Sequence, residues 1–333
     1  YTTLFRSLSL IAPTRAGSRK FLAGSADTLK KVDSRVLKGF FNSHYSAEKM
    51  KLVIMGPQPV QELIRLSEQY FSNLPRRKLR TIATDNRQIL VGNWAEIEMN
   101  EEKLFLQFPL PHSLLDNWQT SPSAIVSTLI SSRTPGSLNE YLFEKNWIKD
   151  LSAGSDISNG AAQFNIVLDL SDLGSQNIDA VMNSIFAYLK ILRTTKCQKY
   201  TFDELQEVAA QMYSEARTDA SMEAANDYAI SMLTTPALEI DRRENLFYVF
   251  DQSACNSVLS NLRPSNMLVL RATAHPKGDF KVHDIKTKRT FWSHRFVPNK
   301  WNDFNNRTVP FKYPQPNPYI DKNQTEIGDD IKH

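Results

Sequence analysis

"QFNIVLDLSDLGSQNIDAVMNSIFAYLKIL", residues 163–192, changes its hydrophobic period halfway. Phe164, Ile166, Leu168 and Leu170 alternate with polar residues, as in a strand with one face buried. Ile178, Val181, Met182, Ile185, Phe186, Leu189 and Leu192 then recur at three and four, the stripe of an amphipathic helix. A half-buried strand feeding a long helix predicts a helix layer on a sheet, and the flanks extend that pattern. "KLFLQFPLP" (103–111) alternates through Leu104, Leu106 and Phe108, and "NMLVLRAT" (266–273) reads as a last strong strand. Helices are predicted over 34–45, 60–74, 221–233 and 241–262. Others are predicted from Ser121-Pro122, with proline in the first turn, and from Ser137 and Thr201, where Glu140 and Glu204 complete capping boxes. "MKLVIMG" (50–56) reads as a short strand closed by Gly56. Without strict βαβ alternation, the expectation is α+β: two-layer sandwiches of helices on a mostly antiparallel sheet.

A chain of 333 residues suggests two domains. The polar stretch over 77–92 sets the boundary, giving 1–79 and 80–333, with a Pro- and Asn-rich tail from about 285. A formal charge of +4 is too small to argue for nucleic acid. The absence of an 18-residue apolar run excludes a membrane-spanning helix from the reading. Cys197 and Cys255 lack metal-ligand spacing, so no disulfide is expected and a reducing compartment fits. The cytoplasm is the first expectation. The mitochondrion is the alternative, since the start carries Arg6, Arg15, Arg19 and Lys20 and no acid. The first residue is not Met, which leads to the expectation of a piece of something longer.

No nucleophile elbow, phosphate loop or dinucleotide fingerprint is present. None of the six histidines lies in H-E-x-x-H or H-x-x-E-H. His44 and Glu48 have helical i, i+4 spacing, but the expected break before Ser46 puts them on separate elements. His44 then suits a helix C-terminus, and Ser46 caps a short turn. No catalytic or metal-ligating set is assigned. "SAGSDISNG" (152–160) reads by composition as a turn.

Six stretches in register from about residue 4 to 320 resemble one family, the inverzincin zinc metallopeptidases of the insulin-degrading enzyme and pitrilysin type. "KFLAGSADTL" (20–29) resembles K-F-x-x-G-N-x-x-T-L. "LKGFFNSHYSAEKMKLVIMGPQPVQELIRLSEQYFSNLP" (37–75) resembles the family's run of helix, Y-S-A/S-x-x-M, strand, Gly and helix. "LISSRTPGSLNEYLFEKNWI" (129–148) is similar to L-I-G-x-x-x-P-G-S-L…L-x-x-x-G-W. "LRPSNMLVL" (262–270), "FWSHRF" (291–296) and "YPQPNPYI" (313–320) resemble three later motifs. Ser25, Ser131, Ser132 and Asn146 depart from the usual residues, suggesting a divergent member, of the kind a fungal pheromone-processing relative would be.

The resemblance implies that 1–79 ends a first, catalytic domain and that 80–333 is a second peptidase-like domain. The H-x-x-E-H helix and its downstream Glu would lie upstream of Tyr1. Zinc then belongs to the parent protein and none to this chain, which is expected to be inactive alone. The implied partners are peptide substrates, the upstream zinc-site region and the C-terminal half of the same protein. The implied role is chamber wall and substrate exosite. Phe5 matches a pocket-lining aromatic. Leu151, Ser152, Ala153, Gly154 and Ser155 match an edge strand that anchors the substrate's N-terminus, with Ala153-Gly154 in place of Gly-Gly and two extra residues after it. The rival expectation is a catalytically inactive family member acting as a scaffold or peptide holder.

Overall fold

The computed structural model describes residues 29–30, 32–79, 91–116, 119–158, 161–216, 221–233, 235–240, 246, 248–274, 281–285, 289–295, 301, 310–318 and 320. The chain divides into two compact units. The smaller comprises Leu22–Thr84, Val208–Phe247 and Asn323–His333. The larger comprises Tyr1–Phe21, Asp85–Glu207 and Tyr248–Lys322.

In the smaller unit, α1 (Ser34–His44) begins where the Asp33 carboxylate accepts the Arg35 and Val36 N–H groups, both at 2.9 Å. This N-cap satisfies two of the orphan donors of the first turn. His44 closes the helix, its ring stacked on Phe40 and its Nδ1 2.9 Å from the Phe40 carbonyl. A 3-10 turn, Ala47–Lys49, follows, so Glu48 does lie on a separate element from His44. The Ser46 hydroxyl makes no capping bond; it accepts the Arg77 N–H at 2.9 Å instead. Residues 51–56 join no ladder among the described strands, which corrects the strand expected there. The β-rich composition is real, but a strand is defined by a paired neighbour. α2 (Val60–Phe71) starts after Pro59 and ends before Pro75. Neither α1 nor α2 buries any residue.

The larger unit holds a seven-stranded sheet. Its elements are β1 (Asn93–Glu98), β2 (Lys103–Pro109), α3 (Ser113–Asp116), α4 (Pro122–Ser131), α5 (Leu138–Glu144), β3 (Ile148–Ser158), β4 (Ala161–Leu170), α6 (Asp172–Gln176) and α7 (Ile178–Thr195). α8 (Lys199–Ala216) leads out of it, and α9 (Met222–Ser231) belongs to the smaller unit. The chain returns with α10 (Gln252–Asn261), β5 (Leu268–Thr273), β6 (Lys281–Ile285) and β7 (Arg289–Arg295). The strand order is β3-β4-β2-β5-β1-β7-β6. Among the described strands only the β1–β5 ladder is parallel, so the expected α+β class with a mostly antiparallel sheet holds. The sheet continues through β7, past the point where the tail was expected to begin.

The core follows the alternation read from sequence. Leu104, Leu106 and Phe108 of β2 stand opposite Leu168, Ile166 and Phe164 of β4, and all six are fully buried. Each such burial stabilises the fold by about 1.5–3 kcal/mol. α7 covers this face: Phe186 meets Phe108 edge-on, and the buried Tyr188 hydroxyl donates to the Leu129 carbonyl of α4 at 2.8 Å. Burial pushes the Tyr188 hydroxyl's pKa well above its ordinary value.

Two local expectations need correction. The Thr201–Glu204 capping box does not open α8, which begins at Lys199. The tail takes those side chains instead: Thr201 Oγ1 lies 3.4 Å from the Tyr313 hydroxyl, and Glu204 accepts the Asn317 N–H at 2.7 Å. The cysteines, expected to stay unpaired, form a Cys197–Cys255 disulfide across a separation of 58 residues. A pairing of that range leaves no local spacing signature.

A partly buried ionic group ties β1, β5 and α6 together. Arg271 lies 3.6 Å from both Glu96 and Glu102. Glu102 also accepts from the Ser175 hydroxyl at 2.5 Å, the Thr273 hydroxyl at 2.7 Å and the Ala274 N–H at 3.0 Å. Burial pushes the Glu102 carboxyl up, but these donors, with the Arg271 charge, outweigh it and hold the pKa below its ordinary value.

Candidate substrate-binding edge

β3 occupies one end of the sheet, with β4 on one side and no described strand on the other. In an antiparallel pair, only alternate residues exchange bonds with the partner. The remaining N–H and C=O groups of β3 therefore point off the sheet, where an extended peptide can pair with them.

The strand is placed by contacts at its start. Ser137 caps α5, its hydroxyl accepting the Glu140 N–H at 3.2 Å, while the Glu140 carboxylate accepts the Gly136 N–H at 2.6 Å. Just past the end of α5, Asn146 has φ +55°. Asparagine adopts that left-handed conformation more readily than most residues. This accounts for Asn146 replacing the glycine usual in the resembled motif. Trp147 then packs against α6: a Cβ on Gly174 would lie 1.8 Å from the Trp147 carbonyl oxygen. The Ser171 hydroxyl donates to the Asn146 carbonyl and accepts the Gly174 N–H at 3.0 Å.

A register shift between Ile148 and Asp150 makes Lys149 an extra residue. This bulge turns both Ile148 and Leu151 to the buried face, at 2% and 3% exposure. Beyond it the faces alternate. Leu151 is core, and the Ser155 hydroxyl donates to the Ser123 hydroxyl of α4 at 2.8 Å. Ser152 and Gly154 lie on the opposite face, Ser152 exposed. A Cβ on Gly154 would meet nothing within 4 Å. Asp156, two residues on, is held by Asn165, whose amide donates to the Asp156 carboxylate at 2.8 Å.

The structure thus brings Leu151, Ser152, Ala153, Gly154 and Ser155 together as one stretch of edge that no described strand pairs. Phe5 lies outside the described residues. Reading 152–160 as a turn by composition is corrected: β3 runs to Ser158. Sequence reasoning also missed Ser123 and Asn165, which fix the strand's two faces. Neither carries a local signal, since their partners lie 32 and 9 residues away.

Among the described residues no group of three or more His, Cys, Asp or Glu could hold a metal ion. The described residues thus do not fit the zinc ion that the resemblance assigns to the parent. No described helix is long and apolar enough to cross a membrane.

A family profile described as the peptidase M16 inactive domain matches residues 31–212. Protease 3 of Escherichia coli K12 is 25% identical over 272 residues, covering 78% of this chain and 28% of that protein. Insulin-degrading enzyme-like 2 of Arabidopsis thaliana is 28% identical over 266 residues, covering 75% and 27%. The crystal structure of pitrilysin superposes with a TM-score of 0.84 at 22% identity, over 96% of this chain and 35% of that one. The chain spans roughly a quarter to a third of the length of the curated relatives it matches.

Proposed function

The chain belongs to the peptidase M16 family, and from that premise we propose that it is a non-catalytic piece of a zinc metalloendopeptidase that encloses and cleaves peptides. In this reading residues 1–79 end the catalytic domain, and 80–333 form a second domain lining the chamber. The zinc-site region and the C-terminal half of the parent are its partners. The apolar side chains of α1 and α2 support the boundary. Leu37, Phe40, Val60 and Ile64 are each more than half exposed, as helices would be whose covering sheet comes from the zinc-site region.

The observation that carries the substrate role is the free edge of β3 with open space over Gly154. A peptide adding there forms main-chain hydrogen bonds, which accept any sequence. Anchoring the far end of a long peptide leaves short peptides unaffected, because they do not span from the edge to the zinc. Leu151 and Ser155 would hold the strand in place, while Ser152, Ala153 and Gly154 meet the substrate.

Gly154→Trp in the full-length parent tests this. The open space makes the variant compatible with folding. It is expected to lower kcat/KM for long peptides about tenfold, the equivalent of one or two lost hydrogen bonds. Short-peptide cleavage should stay within about twofold. Equal loss on both classes would overturn the exosite. The rival reading is a parent that holds peptides without cutting them. Zinc content and peptide cleavage of the full-length parent separate the two.

A further inference from the structure

We propose that the parent protein acquires its fold in an oxidising compartment, where Cys197–Cys255 forms as a structural cross-link locking the α7–α8 turn that seats the strap at residues 311–314. The chain has only two cysteines, 58 residues apart. The fold brings their Cα atoms to 6.3 Å, within the span a disulfide bridges. Both residues are 0% exposed.

The surroundings give the bond a purpose. Lys196, just before Cys197, has φ +64°, a left-handed conformation that costs a lysine free energy and persists only where neighbours enforce it. The same helix that carries Cys255 enforces it. Asn256 accepts the Cys197 N–H at 3.0 Å, and the Gln252 amide donates to the Cys197 carbonyl at 2.8 Å. On its other side the turn holds the strap. The Gln198 N–H donates to the Tyr313 hydroxyl at 3.1 Å, and the Tyr200 hydroxyl donates to the Pro314 carbonyl at 2.6 Å. Phe311 packs edge-on against Tyr141 and Tyr188, so the strap also caps the helix layer.

The covalent step balances by thiol–disulfide exchange with an external protein disulfide. One cysteine thiolate attacks it and expels a thiolate. The second attacks the mixed disulfide and expels the other, so the external pair gains two electrons and two protons. Such oxidants keep structural disulfides formed outside the reducing cytosol. A redox switch needs an accessible sulfur, whereas both sulfurs here are enclosed. The cytoplasmic expectation rested on unpaired cysteines and loses that support.

The test starts from the parent protein acid-trapped in its own cells, unfolded, and alkylated before and after reduction. The expected result is no alkylation of either cysteine before reduction, with a cross-linked peptide containing both, and two alkylations after. Alkylation of both cysteines before reduction overturns the proposal. Reduction of the intact protein should lower Tm by roughly 10 °C and increase protease cleavage within residues 310–318. A Cys197→Ser/Cys255→Ser variant should match the reduced protein. Unchanged Tm and unchanged cleavage on confirmed reduction overturn the lock.

Discussion

α7 and the pair α1 and α2 share a sequence pattern and differ in fate. All three place apolar residues at three and four. In α7 nine residues are buried, from Val181 to Leu192. In α1 and α2 none is. Periodicity therefore states which face of a helix wants cover and says nothing about whether the cover is at hand. α7 lies on β2 and β4, whose alternation matches its stripe. The stripes of α1 and α2 are satisfied, on the reading above, only in the parent.

The comparison breaks most readily from the buried side. Phe164 is fully enclosed opposite Phe108. Phe164→Ala should cost about 3–5 kcal/mol, from lost transfer energy and the cavity left behind. Urea denaturation followed by circular dichroism measures it. A cost under 1 kcal/mol would mean that the sheet and helix layer are not the cooperative core described here.

Gly174→Ala comes next. Its Cβ would fall 1.8 Å from the Trp147 carbonyl oxygen, a backbone atom at the start of β3. α6 or the β3 start must shift, at about 1–3 kcal/mol. The same denaturation experiment reads it, and Gly154→Ala is the control, with nothing within 4 Å of its Cβ. Equal effects at the two glycines would contradict the packing at Trp147.

What could be read beforehand follows the range of the interaction. β4 and α7 were legible because their patterns are local and regular. β3 was hidden twice, by the Lys149 bulge that breaks alternation and by the small polar residues after Leu151. Only the family resemblance pointed to it as a strand. The Thr201–Glu204 pattern misled because Tyr313 and Asn317, more than a hundred residues away, take those side chains. The disulfide spans 58 residues and was missed for the same reason. The candidate edge was thus legible by analogy in five of its residues, while its supports at Ser123 and Asn165 needed coordinates.

Glu102 gives a smaller effect with a pH signature. Its folded pKa lies below the ordinary carboxylate value. The stabilisation is therefore fully present above the ordinary value and is lost as pH falls through the lower, folded one. Glu102→Gln should remove about 1–2 kcal/mol at pH 7. The variant and the unsubstituted chain should converge in stability as the carboxyl is protonated in acid. A difference independent of pH from 7 to 2 would assign the loss to packing rather than charge.

The smallest effect sharpens the comparison most. Phe40 is 53% exposed and Ile64 51% exposed, each on the apolar stripe of its helix. In this chain Phe40→Ala and Ile64→Ala should each change stability by less than about 0.5 kcal/mol, as for surface positions. In the full-length parent the same truncations should cost about 2–4 kcal/mol, the loss expected once a sheet covers them. Phe164→Ala should cost the same in both proteins, since its core is complete within this chain. The ratio between the two settings is the diagnostic. If Phe40→Ala is as mild in the parent as here, the α1 stripe faces solvent in the complete protein. The boundary proposed near residue 79 would then lose its physical support.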